Sequence, residues 1–284
     1  ASAVGPELQI RWGLTSSQVG WLTTAVQLGF VAGTAFAALF NLADVIPSRL
    51  FFSSTALMAG ASNALLILAP GLGLALPARF FTGFFLAGVY PPAMKMISTW
   101  FRESRGLAIG TVVGALTVGK AAPYLLKALP SLSLEWVVGG ASLAGVVGGV
   151  MVFLAYHDGP FPFTRAPFSL GLVSRVARHR ETRLAIYGYL GHMWELYAMW
   201  TWVPAFLLAS ATVAGADGWG SAPTRAAEIT AFGAIAAGGL GCVWGGWAAD
   251  RIGREKLVNL AMLASGVCSV AIGPFFGAGF WVLA

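Results

Sequence analysis

Apolar runs of roughly 18 to 25 residues recur along almost the whole chain, and the short connections between them hold most of the charge. Wound as a helix at about 1.5 Å per residue, each run crosses a hydrocarbon core of about 30 Å. A helix suits such a run because lipid offers nothing to hydrogen-bond a free backbone amide or carbonyl. The pattern predicts spans near 17–41, 50–69, 76–101, 105–127, 134–156, 184–210, 226–249 and 256–273, with a further one beginning near Phe275. With 57% hydrophobic residues, 10% charged residues and a mean hydropathy of +0.77, the chain has too little polar surface to cover a soluble globule. The fold class expected is an all-α, polytopic transmembrane helical bundle without an aqueous domain of any size.

Several kinds of chemistry find no support in the residues. Cys242 and Cys268 both fall inside predicted spans, where a small apolar residue explains them and no disulfide framework follows. No phosphate-binding loop, zinc-ligand spacing or nucleophile elbow is present, so neither a metal, a cofactor nor an enzymatic role is expected. The formal net charge of +6 is spread over several loops rather than gathered on one face, which argues against nucleic acid as a partner.

The basic residues set the orientation. Arg49, Arg102, Arg105, Arg165, Arg175, Arg178, Arg180, Arg183, Arg251, Arg254 and Lys256 fall at one side, leaving Arg11, Lys127 and Arg225 for the other. The first side is cytoplasmic by the positive-inside rule, which predicts a multi-pass protein of the inner or plasma membrane. The longest connection on that side, 157–183, has prolines early and a basic stretch late that suits an amphipathic helix on the inner leaflet. It divides the chain into a first bundle, 1–156, and a second, 184–284. Residues 1–16 lack the apolar core of a signal peptide.

Two loops are similar to each other. "FNLADVIPSRL" (Phe40 to Leu50) and "GGWAADRIGREKL" (Gly245 to Leu257) each close a glycine-containing span, place an Asp at the basic end, follow it with a basic residue and open another apolar run. Six predicted spans separate them, which suggests a six-helix repeat. The second copy, with Gly246, Asp250, Arg251, Gly253, Arg254 and Lys256, resembles the G-x-x-x-D-R-x-G-R-[RK] loop signature of the major facilitator superfamily, departing from it at Glu255. The first keeps only Asp44 and Arg49, with Phe40, Val45, Pro47 and Ser48 at other signature places. "RFFTGFFLAGVYPPAMKMISTWF", with Arg79 four residues before Gly83, resembles the family's fourth helix, and "RGLAIGTVVGALTVGKAAP" its glycine-rich fifth.

The resemblance implies a secondary transporter with a 6+6 helix repeat, normally a monomer. In that family the first signature follows the second helix, whereas here it follows the first. With an N-terminus lacking Met and an end inside an apolar run, this implies a fragment truncated at both ends, without the first helix and about two and a half later ones.

The loop signature also has a physical reading. Asp250 closes one helix, where its carboxylate can pair with Arg251 or Arg254 or cap the N-terminus of the following helix. Together with Gly246, Gly253, Asp44 and Arg49 it forms a candidate conformational latch; a plain tight turn with solvated charges is the alternative. Gly106, Gly110 and Gly114 recur every four residues and predict a smooth helix face, and Gly233, Gly238, Gly241 and Gly245 are expected to act similarly.

Polar groups inside spans point to a pathway, because a charge facing lipid is costly. His192 and Glu195 share one helix face at i, i+3, extended by Met199 and Trp202. Glu195 is a candidate proton carrier with His192 as its exchange partner; a structural pair, a bond to an adjacent helix or direct contact with a substrate cation are the alternatives. Trp194, Tyr197 and Trp200 line a cavity or pack at the interface. Arg79, Lys95 and Lys120 are candidates for a substrate or proton path, with snorkelling or structural bonds competing, and two of them facing a cavity would favour an anion.

The function expected is alternating-access transport of a small solute, with proton symport of an organic or inorganic anion favoured. Proton-coupled drug or metabolite efflux, and a non-transporting membrane sensor of the same fold, are the other readings. The partners expected are the solute, H+ and the lipid bilayer.

Overall fold

The computed structural model describes residues 4–128, 133–161, 170–215 and 223–283. Arg165 and the middle of the connection lie outside these residues, and so does the side chain of Lys127. In chain order the helices are α1 (Gly5–Trp12), α2 (Ser16–Leu39), α3 (Leu42–Val45), α4 (Ser48–Leu68), α5 (Leu72–Leu86), α6 (Tyr90–Ser98), α7 (Arg105–Ala128), α8 (Leu134–Ala155), α9 (Leu170–Arg178), α10 (Arg180–Ala214), α11 (Pro223–Ile252), α12 (Arg254–Ala271) and α13 (Phe280–Leu283). Among the described residues, eight helical segments are long and apolar enough to cross a membrane. They coincide with the eight complete spans predicted from the sequence.

Two details differ from the sequence expectation. The third predicted span is broken: α5 stops at Leu86, and α6 restarts at Tyr90, just before Pro91 and Pro92. Proline has no N–H and its ring crowds the carbonyl four residues back, so an uninterrupted helix through a Pro-Pro pair loses two backbone bonds. The ninth run does not begin as a helix near Phe275, which lies in a 3-10 turn; the helix starts at Phe280.

The chain folds as two compact units. One contains residues 1–102 and 131–168, the other 103–130 and 169–284. The fourth apolar run, α7, therefore belongs by its packing with the later helices.

In the first unit α2 runs parallel to α5, because glycines remove the side chains that would separate them. A Cβ on Gly29 would lie 1.9 Å from the Phe80 carbonyl oxygen, and one on Gly83 2.0 Å from that of Val26. α8 runs antiparallel to α4, with Gly60 against Val146 and Gly149 against Ser53. A reciprocal capping box starts α2: the Thr15 hydroxyl accepts from the Gln18 amide at 3.3 Å, and the Gln18 side chain accepts from the Thr15 amide at 2.8 Å.

Helix α1 lies across one end of this unit. Its Leu8 and the preceding Val4 are buried with Leu22, Leu66, Ala75 and Leu134, at the near ends of α2, α4, α5 and α8. Glu7 accepts from the Leu134 amide at 3.2 Å, and Arg11 reaches Glu135 at 2.7 Å.

At the other end the residues after α8 fold back on the end of α6. The Thr99 hydroxyl accepts from the Gly159 amide at 3.0 Å, its carbonyl accepts from the Phe161 amide at 2.9 Å, and the Trp100 indole donates to the His157 carbonyl at 3.1 Å. Burial pushes the Tyr156 hydroxyl above its usual pKa, so it stays protonated and donates to Asp158 at 3.1 Å.

In the second unit α7 and α11 lie antiparallel at close range. Gly110 faces the Cys242 carbonyl, Gly114 faces Gly239, and Gly246 faces the Gly106 carbonyl. The α7 glycines thus act as the sequence predicts. On α11, however, the contact is made by Gly239 and Gly246, while Gly233 and Gly241 have open space and Gly238 and Gly245 only ordinary contact. Toward the far end of the pair a core of Ala121, Tyr124, Leu207, Ala211, Ala231 and Ile235 joins α7, α10 and α11.

Candidate functional site: a carboxylate cap, two intramembrane networks and a cation on an indole

The loop after α11 is built around Gly253, whose φ of +93° ends α11 and permits α12 to start at the next residue. A side chain at that φ would be strained, which gives the signature glycine its reason. Asp250 is held in the last turn of α11, against the negative end of that helix dipole, where a carboxylate is unfavourable on its own.

Its compensation is the N-terminus of α7. One Asp250 carboxylate oxygen accepts from the Gly106 amide at 3.0 Å and the other from the Leu107 amide at 3.0 Å. A helix begins with amides that have no partner inside it, and a carboxylate satisfies two of them while meeting the positive dipole end. The sequence leaves open a pairing with Arg251 or Arg254, or a cap on the following helix; the structure shows a cap on α7 instead. Arg251 lies over the Trp247 ring, 3.9 Å from its centroid. Gly106 and Gly246 are required by this closeness, since a Cβ on Gly106 would fall 2.4 Å from the carboxylate.

The first, divergent loop uses a different partner. Asp44 meets Lys95 of α6 at 2.5 Å, and the same ammonium donates to the Ala43 carbonyl at 2.7 Å. Arg49, a member with Asp44 of the candidate latch, lies over the Phe153 ring at 5.5 Å. Lys95 is thus occupied at the loop end of its helix. Replacing it with Met is expected to leave Asp44 without its counter-ion and to lower the unfolding temperature by a few degrees, measured in detergent; Lys95→Arg should retain most of the stability.

Two polar networks lie at depth. In the first unit Arg79, only 9% exposed, donates to the Asn63 side-chain oxygen at 2.6 Å, and Asn63 donates to the Ser142 hydroxyl at 2.9 Å. Among the described residues the Arg79 Nε has no partner. In the second unit the Ser265 hydroxyl of α12 donates to the Glu195 carboxylate of α10. His192 is exposed and does not pair with Glu195, so the bond to an adjacent helix is the alternative observed.

One turn and a half beyond Glu195, the Lys120 ammonium sits 5.9 Å from the Trp200 ring centroid, and the Tyr124 hydroxyl donates to the Trp200 carbonyl at 2.6 Å. Tyr197 meets Trp200 edge to face at 5.5 Å. Trp194 is 82% exposed, and Met199 and Trp202 are also exposed.

Asn63, Ser142 and Ser265 went unnoticed in the sequence. Asn63 carried a usable signal: an amide inside an apolar run needs a partner just as Glu195 does. The two serines carried none, because a hydroxyl can bond back to its own helix, as Ser142 also does to Val138.

A stretch of 91 residues, 31% of the chain, is 34% identical to a niacin transporter, NiaP, of Acinetobacter baylyi. The aligned part spans 20% of that protein's length. The family model of the Major Facilitator Superfamily matches residues 1–284 in full, and with the eight apolar helices and the Asp250 loop this places the chain in that superfamily.

Proposed function

We propose that this protein is a secondary transporter of the inner or plasma membrane that moves a small organic anion by alternating access, coupled to proton entry. The observation that carries this reading is the Asp250 cap on α7. In the reading, the first bundle comprises 1–156 and the second 184–284, joined by the cytoplasmic connection 157–183, and the basic loops face the cytoplasm. α7 and α11 then meet where the bundles join, and the cap holds their cytoplasmic ends together in one state. Parting them exposes two amides and a carboxylate to water, which hydrates all three, so the difference between states stays small enough to reverse.

Two further observations support the solute class and the coupling. Lys120 over Trp200 pairs a cation with an aromatic face, which suits a flat carboxylate, and the similar Acinetobacter protein is named for niacin, a pyridine carboxylic acid. Glu195 is a carboxylate within an apolar helix, and among the described residues it accepts from the Ser265 hydroxyl. That bond survives proton uptake, since a carboxylic acid still accepts and Ser265 still donates. Proton entry therefore changes the charge without breaking the local structure. Arg79 is assigned to the same pathway in the first bundle, and the protein is taken to work as a monomer.

The test is uptake of labelled nicotinate and benzoate by proteoliposomes holding the full chain, with and without an inward proton gradient. Accumulation is expected only with the gradient. Glu195→Gln should abolish gradient-driven accumulation while solute exchange persists, and Lys120→Gln should raise KM roughly tenfold, the weight of one charge-assisted contact. Properly inserted protein that moves no anion under any gradient contradicts the reading.

A further inference from the structure

The connection 157–183 ends in a feature to which the proposed transport cycle assigns no role. Helix α9 is followed by a single extended residue, His179 with φ −71° and ψ 122°, before α10 begins at Arg180. That residue interrupts the helix, so α9 leaves the axis of the membrane-crossing α10.

Helical spacing sorts the α9 sequence into two faces. At about 100° per residue, Leu170, Leu172, Val173, Val176 and Ala177 fall within an arc of roughly 160°, and Ser174, Arg175 and Arg178 fall opposite. Val176, on the apolar arc, is 41% exposed. Arg180 and Arg183 extend the cationic group into the first turn of α10, with Glu181 the one acid among them. All four arginines are exposed, and among the described residues none forms an ion pair.

We infer that α9 and the first turn of α10 form a binding site for anionic phospholipid, with the apolar arc in the acyl region and Arg175, Arg178, Arg180 and Arg183 on headgroup phosphates. Charge complementarity favours this occupant over a zwitterionic lipid, and the apolar arc favours it over a free phosphate. A short helix with one apolar and one arginine face lies in the membrane interface, and guanidinium groups bind phosphate oxygens in bidentate fashion. The site ties the start of the second bundle to the leaflet surface.

Native mass spectrometry of the full chain in detergent tests this without any transport assay. Titrated with phosphatidylglycerol or phosphatidylcholine of identical acyl chains, the protein is expected to retain the anionic lipid roughly tenfold better, the four arginines each contributing electrostatic attraction. Changing all four arginines to Gln should erase the preference, and changing all four to Lys should keep most of it, which separates lost charge from a misfolded variant. A large excess of inorganic phosphate should not displace the lipid. Equal retention of both lipids, a Gln variant that behaves as wild type, or displacement by phosphate overturns the inference.

Discussion

Asp250→Asn is expected to slow transport by more than tenfold while leaving the protein inserted and folded. The amide keeps the size of the side chain but loses the charge, and only its oxygen can still accept from Gly106 or Leu107. A charge-assisted bond is worth about 1.5–3 kcal/mol, and exposure to water reduces that, so losing the cap shifts the balance between states by about 2 kcal/mol. That corresponds to roughly a thirtyfold change in the ratio of the two populations. The direction is fixed by geometry: the state in which α7 and α11 meet at their basic ends loses stability. Labelling of single cysteines near that end, with a membrane-impermeant reagent supplied on the side of the basic loops, measures the shift. Increased labelling is expected in the variant, and Asp250→Glu should show an intermediate increase because its longer side chain disturbs the paired geometry.

Gly246→Val is expected to have the larger effect on the structure itself, reducing correctly folded protein to a small fraction of wild type. A Cβ at Gly246 would lie 2.2 Å from the Gly106 carbonyl oxygen and 3.1 Å from the Leu107 Cα, both backbone atoms that cannot turn away. The two helices must separate, which breaks the Asp250 cap and loosens the packing of Gly110 on Cys242 and Gly114 on Gly239. Overpacking of this kind costs about 1–3 kcal/mol at a single core position, and here it propagates along a whole helix pair. Gly241→Val, on the same helix and with nothing within 4 Å of its Cβ, is the control and should express normally. Size-exclusion profiles of the two variants in detergent give the comparison directly.

The membrane-spanning helices could be read from the sequence because lipid leaves few alternatives: an apolar run of sufficient length must close its own backbone bonds. The break in the third span was harder to see, although Pro91 and Pro92 stood in plain view. Hydropathy is blind to backbone bonding, and the run stays apolar across the break. The α7 glycines were legible through their spacing of four. Those on α11 were not, because glycine occurs on several faces of that helix and only the partner's position selects Gly239 and Gly246.

The same limit governs the polar residues. Asp250 announces itself by ending an apolar run, yet its partners are backbone amides of α7, and every residue offers an amide. Lys95 reads as a candidate for the pathway until Asp44 is found beside it, 51 residues earlier in the chain. Glu195 and Arg79 are visible as charges in apolar surroundings, but Ser265 and Asn63, which receive them, become visible only once the helices are packed.

In the proposed transport cycle the basic ends of α7 and α11 part. Spin labels at Glu103 and Lys256, introduced into a Cys242→Ala, Cys268→Ala background of the full chain in lipid, report the separation across the cap by pulsed electron resonance. Two distance populations are expected, their ratio shifting toward the longer one when transported solute is supplied and shifting the same way in Asp250→Asn without it. A single distance that does not change while the labelled protein transports its solute contradicts it.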